Sequence, residues 1–186
     1  LAVAHSNADY LIFLDGDCLV PPDFIENHLH LAEQGWFVAG NRILLSESFT
    51  QKVLIHRWPV STWSIFRWLW QSWLGHCNRW LPLVFMPGQR WRKQRPARWQ
   101  QARTCNLAIW RKDFEQVNGF DETYNGWGHE DADLAVRLIR HGVFHKEGRF
   151  ATPVFHLWHA ENDRSQTIEN ENRLQAILKS QVVRAQ

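Results

Sequence analysis

The sequence predicts an α/β domain built on a mostly parallel sheet flanked by helices. Three observations carry that expectation. Short runs rich in branched and aromatic residues alternate with helical segments. Proline and glycine punctuate the joins between them. A chain of 186 residues, 45% apolar and 22% charged, is long enough for one domain with a buried core.

"YLIFL" at 10–14 reads as a buried strand that stops at Asp15-Gly16-Asp17. Pro21-Pro22-Asp23 opens a helix near 24–33, where the missing proline N–H groups are harmless. Gly35 ends it, and "WFVAGNRILL" (36–45) reads as a strand interrupted at Gly40-Asn41. Residues 51–103 hold short helical pieces broken by Pro59, Pro82 and Pro87-Gly88. "CNLAIWRKDF" (105–114) is a strand running into a short helix, and 117–129 is rich in turns. A helix starts at Glu130 with Leu134, Leu138 and Ile139 on one side, and stops at His141-Gly142. "TPVFHLWH" (152–159) is the last strand, and a polar helix over about 164–183 follows. In such folds ligands gather at the carboxyl ends of strands, which is where Asp15 and Asp17 stand.

Charge is distributed unevenly. Residues 51–103 carry ten Lys or Arg and no acid, leaving about −8 on the remainder of a chain whose net charge is +2. Eight of the twelve tryptophans also fall in that block, so an acidic frame surrounds a basic, aromatic insert. Trp interleaved with Arg suits a helix lying in a membrane interface; a packed core or an acceptor-side lid uses the same residues. Single-stranded nucleic acid is disfavoured as a partner by the acid-rich remainder. Three cysteines without ligand spacing argue against a disulfide framework. There is no uncharged apolar run of membrane-spanning length.

Three stretches carry chemistry. Two carboxylates on the tight Asp15-Gly16-Asp17 turn suit a hard divalent cation, although Asp and Gly are also ordinary turn residues. "NGWGHEDADL" (125–134) sets Trp127, between two glycines, beside Glu130, Asp131 and Asp133 at a helix start. An aromatic face with carboxylates suits a sugar, and one carboxylate is then placed to act as a general base; helix-end charge stabilisation is the plainer reading. In "FHLWHAEND" (155–163), His156 and His159 can share a ligand only if the backbone turns after Leu157, because positions three apart on a strand face opposite ways.

The order of these motifs resembles family 2 glycosyltransferases of the GT-A fold: a strand ending in Asp-x-Asp, then "NLAI", "GFDE", "GWGHEDADL" and a late histidine. The "GWGHED" stretch is similar to that of metal-dependent galactosyl- and N-acetylgalactosaminyl-transferases, including chondroitin-type polymerases. The resemblance covers about Ala4 to Asp163, outside the insert. It implies that Asp17 holds Mn²⁺ or Mg²⁺ against a donor diphosphate, with His156 and His159 as further ligands. Asp15 would lie near the donor ribose or sugar, and Asp131 would be the general base. Glu130 would orient hydroxyls, Trp127 would stack on a sugar with Gly128 beside it, and Asn106 would sit near the acceptor.

The resemblance further implies a nucleotide-sugar donor (a UDP-sugar) and a glycan or lipid-linked acceptor. One base and no evident enzymic nucleophile fit inversion. Expected surroundings are bacterial surface polysaccharide or lipopolysaccharide synthesis at the cytoplasmic face of the inner membrane. The family places a βαβα nucleotide-binding half before Asp-x-Asp, so residues 1–186 are expected to be the carboxyl-terminal portion of one GT-A domain with an insert at 51–103. A non-catalytic glycan- or membrane-binding remnant is the alternative.

Overall fold

The computed structural model describes residues 3–160 and 164–185. Glu161, Asn162 and Asp163, which end the late histidine segment, lie outside the described residues. In chain order the elements begin with β1 (Tyr10–Phe13), β2 (Cys18–Leu19), α1 (Phe24–Leu31), β3 (Trp36–Ala39) and β4 (Asn41–Leu44). Then follow α2 (Glu47–His56) and α3 (Ile65–Trp73), and short 3₁₀ turns after them. Next come β5 (Leu107–Trp110), α4 (Arg111–Gln116), α5 (Glu130–Arg140), β6 (Phe144–Glu147), β7 (Pro153–His156) and α6 (Thr167–Lys179). Among the described residues no helix is long and apolar enough to cross a membrane.

The α/β class with flanking helices stands; the mostly parallel pairing does not. One sheet has the order β1-β5-β3-β6 and the other β2-β7-β4. Only β3–β6 and β4–β7 pair in parallel, whereas β1–β5, β3–β5 and β2–β7 are antiparallel. Strand–helix alternation encodes direction only where a single crossover helix joins neighbours. Here the long insert returns the chain from the opposite end, and β5 enters between β1 and β3 running against both.

Gly40 is where one continuous apolar run leaves the first sheet and enters the second. A Cβ there would fall 2.2 Å from the side-chain amide of Asn106. That amide is buried and fully engaged: Oδ1 pairs with Nε2 of buried His28 at 3.1 Å, and Nδ2 donates to the carbonyls of Asn41 and Thr152. Asn106 therefore ties α1, β4 and the entry to β7 together. Gly40→Ala is expected to cost about 1–3 kcal/mol by overpacking. That corresponds to roughly 2–10 °C in the thermal midpoint by scanning calorimetry; an unchanged midpoint would contradict the packing.

Two cores result. Leu11, Phe37, Leu107, Ile109, Leu134 and Leu138 close the first between β1-β5-β3 and α5. The second joins Ile43 and Phe155 of the small sheet to Phe49 and Val53 of α2 and Trp68 of α3. Trp68 is 1% exposed and stacks on Phe155 at 4.4 Å between ring centres. Most insert tryptophans are thus packing residues. Arg92 fastens the insert's far end: its buried guanidinium donates to the carbonyls of Gly88, Glu147, Arg149 and Met86 at 2.6–3.0 Å. No loop reading would place an arginine there, because its partners are backbone atoms.

Candidate active site

The turn after β1 and the end of β7 converge. β2 pairs with β7 so that Cys18 lies opposite His156, which sets Asp17 beside the strand end. The chain then leaves the strand at Leu157, whose N–H donates to the Asp17 carbonyl at 2.9 Å. This is the backbone turn that shared use of the two histidines requires. His159 Nε2 lies 3.1 Å from Asp17 Oδ2, and His156 Nε2 lies 3.6 Å from Oδ1.

Each imidazole is oriented by its other nitrogen. His156 Nδ1 donates to the Leu157 carbonyl at 2.9 Å, and His159 Nδ1 to the Ala160 carbonyl at 2.7 Å. That assignment leaves both Nε2 atoms as lone-pair donors in the neutral rings. Two imidazole lone pairs facing one carboxylate repel unless a proton or a cation lies between them. One donor atom from each residue falls within 4.8 Å of the others, so the three side chains fit a divalent ion. Backbone carbonyls holding the far ring nitrogens are the usual supports of metal-binding histidines.

The acid pair stands across an adjoining cavity of about 690 Å³, lined by Asp15, Arg42, Thr104, Trp127, Glu130 and Asp131 among others. Three left-handed residues shape its wall: Gly126 (φ 71°), Gly128 (φ 110°) and His129 (φ 76°). Gly128 supplies a conformation that L side chains avoid, and His129 holds a strained one as the N-cap of α5. The chain therefore turns sharply enough to raise Trp127 on one side and present Glu130 and Asp131 on the other. Trp127 is 46% exposed, with the Arg164 guanidinium 4.9 Å from its ring centre.

Burial, and next the neighbouring Glu130 charge, push the Asp131 carboxyl up to about 6; contacts from Thr104 and the Arg103 charge only partly offset them. One buried oxygen each of Glu130 and Asp131 accepts no hydrogen bond among the described residues. Asp15 is likewise raised, by burial first and then by Asp17, with His156 and Arg42 opposing.

A carboxylate–histidine triad, an aromatic plate and a raised carboxyl thus occupy one continuous surface. Residues 1–113 match Glycosyl transferase family 2. The chain belongs to that family. Residues 91–159 match a second family, described as the N-terminal domain of galactosyltransferase. A 40-residue segment is 48% identical to Validoxylamine A glucosyltransferase of Streptomyces hygroscopicus subsp. jinggangensis (strain 5008), covering 22% of this chain and 10% of that protein. The same identity holds to the enzyme of that name from subsp. limoneus, over 9% of its length. The matched segment thus spans about a tenth of these relatives.

Within this family 2 chain, several site residues went unforeseen by motif reading. Arg42 borders three separate cavities, including those of the acids and of the histidines. Its only signal is a charge just before the apolar pair Ile43-Leu44 of β4. Thr104 and Arg103 reach Asp131 from the insert's return. Asn170 of α6 is buried, and its amide donates to the carbonyls of Asn125 and Trp127 at 2.9 and 3.3 Å. Nothing in the sequence of a polar helix marked it. Asn170→Ala is expected to loosen the Trp127 turn, lowering kcat/KM about tenfold with a stability loss near 1 kcal/mol. Steady-state rates alongside urea unfolding separate the two effects.

Proposed function

We propose that this family 2 protein is an inverting, divalent-metal-dependent glycosyltransferase that moves a hexosyl or N-acetylhexosaminyl group from a nucleotide-sugar donor to a hydroxyl. The observation that carries it is the placement of the Asp17-His156-His159 cluster and the raised Asp131 carboxyl on either side of Trp127. A cation bound by the cluster would supply positive charge against a departing diphosphate. Two imidazoles with one carboxylate suit Mn²⁺ better than Mg²⁺, which prefers all-oxygen shells.

Trp127 covers the apolar face of a pyranose, and Glu130 and Asp15 accept its hydroxyls. Asp131 takes the acceptor hydroxyl's proton as that oxygen bonds to the anomeric carbon from the face opposite the leaving group. The bond between that carbon and the phosphate oxygen breaks, its electron pair leaves with the nucleoside diphosphate, and configuration inverts. Family resemblance supports UDP as the nucleotide, a glycan or lipid-linked acceptor, and a place in bacterial surface polysaccharide or lipopolysaccharide synthesis. On this reading residues 51–103 are an insert within one GT-A domain.

Transfer or hydrolysis of a UDP-sugar with Mn²⁺, with and without EDTA, tests the proposal. EDTA or Asp17→Asn is expected to lower the rate by about two to three decades. Full activity in EDTA would overturn metal dependence. Binding of sugar without any turnover would favour the non-catalytic alternative.

Contact with the inner face of the membrane is the second part of the proposal. On α3, Phe66, Trp70 and Trp73 recur at helical spacing and are 79%, 55% and 73% exposed. Ile55 of α2 is exposed as well, and the block from 51 to 103 carries no acid to oppose anionic head groups. Trp68 takes no part because it lies in the second core. Flotation with vesicles rich in phosphatidylglycerol is expected, and Phe66, Trp70 and Trp73 replaced together by Ser should abolish it. Absence of flotation by the wild type would sink this part.

A further inference from the structure

Beside the base lies a cavity of about 280 Å³ that the proposed donor and base leave unused. It shares Arg42, Arg103 and Cys105 with the cavity of the acid pair and contains none of Asp17, His156 and His159. Four arginines line it: Arg42 from β4, Arg79 and Arg103 from the 51–103 block, and Arg149 from the turn after β6. Glu147 is its lone acid. None of the four arginines forms an ion pair among the described residues. The remaining polar wall is amide, including Gln101, whose buried side-chain oxygen has no hydrogen-bond partner.

Four arginines against one lining acid leave an excess of positive charge that Asp15, through Arg42, and Asp131, through Arg103, offset only in part, and an entering anion relieves the remaining like-charge repulsion. Guanidinium forks match phosphate oxygens in pairs, which is why arginine dominates phosphate recognition. Position fixes which part of a substrate is involved. In-line displacement puts the acceptor opposite the leaving diphosphate, and this cavity shares Arg103 and Cys105 with the cavity that Asp131 lines while excluding the metal cluster. A second cavity of about 290 Å³ continues from it through Gln101, Glu147 and Arg149, and adds Arg95 and Arg98.

We propose that this cavity is an acceptor subsite for a phosphate or pyrophosphate group, so that the acceptor is a phosphorylated glycan or one joined to its carrier by pyrophosphate. The assignment rests on the transferase reading for the word acceptor, but the anion site stands on its own geometry. Inorganic pyrophosphate is titrated calorimetrically into the full chain in EDTA, which removes any metal-mediated binding at Asp17. Binding is expected, weakening as NaCl rises from 50 to 200 mM. Arg79→Gln with Arg149→Gln should weaken it about tenfold or more. Both residues are exposed and lie outside the catalytic machinery, so the variant folds; Arg57→Gln, on the remote end of α2, is the control.

No binding in EDTA, or equal loss in the control, would overturn the subsite. Glucuronate binding as tightly as hexose 1-phosphate would overturn the phosphate assignment. Tighter binding of a sugar pyrophosphate ester than of hexose 1-phosphate identifies the carrier-linked acceptor, and the reverse identifies the phosphorylated glycan. Since no turnover is read, failure of the transferase reading leaves each of these outcomes interpretable.

Discussion

Asp131→Asn is expected to lose transfer by about 10²–10⁴-fold and, at the same time, to make the protein more stable at neutral pH. The first effect follows from removing the proton acceptor while keeping the side chain's shape. The second follows from linkage. Burial and Glu130 raise the Asp131 carboxyl to about 6 from an ordinary 3.8. Between those values the folded state holds a proton that the unfolded chain has released, so stability falls as pH rises through the window and stays lower above it. The cost at pH 8 is about 3 kcal/mol at most, from two units at 1.36 kcal/mol each.

A neutral amide escapes that cost. Thermal scans of wild type and variant should therefore diverge between pH 4 and 6, with the variant higher above that range. The wild-type kcat/KM should rise with pH along a limb centred near 6, because only the ionised carboxylate accepts a proton. A variant that is inactive and also destabilised at pH 8 would show that Asp131 is a structural residue.

Asp133→Ala is expected to cost about 3–5 kcal/mol, on the order of 10 °C in the thermal midpoint. Asp133 lies two residues after the proposed base, yet it turns inward. Its Oδ2 accepts from Nε and Nη2 of Arg137 at 2.8 and 2.6 Å, with both side chains fully buried. Arg137 also donates to the carbonyls of Val117 and Gly119 at 2.7 and 2.8 Å, pinning the turn that precedes the active-site loop. Removing the acid strands a guanidinium in the core. Asp133→Leu combined with Arg137→Met should recover much of the loss, because no uncompensated charge remains, but not all of it, because the two carbonyls lose their donor. Urea unfolding of the single and double variants provides the cycle. Strict additivity would mean that the pair is not coupled.

These cases show why some of the site was legible and some was not. Asp17 and Asp131 stand at element ends, where pattern reading is strong: an apolar run stops at one, and an apolar helix face starts beside the other. Neighbouring acids in "EDAD" look alike in sequence, however, and helical geometry alone sends Asp133 to the core while Asp131 faces the cavity. The clustering of tryptophans in 51–103 is plain in the sequence, but Trp68 and Trp70 differ only in which side of α3 they occupy.

Strand β6, "FHKE", passed unnoticed because hydropathy marks it as polar. Its Lys146 is buried only because the Leu31 carbonyl and Glu33 receive its ammonium at 2.7 and 3.0 Å. Strand direction failed for a related reason: periodicity records which face is buried and says nothing about the route by which the chain returns. Asn106, singled out by motif order, is held by groups far apart in sequence. Long-range partners of polar residues are what a single sequence conceals.

The central claim is that one base and one metal cluster, with no covalent intermediate, perform transfer with inversion. Its most direct test needs no acceptor. The wild-type protein with Mn²⁺ is mixed with UDP-α-sugars, and the sugar released to water is followed by proton NMR before mutarotation. The account predicts the β-anomer as first product, from attack on the face opposite UDP. First release of the α-anomer would mean retention, through an enzymic nucleophile or by same-face attack, and would contradict it.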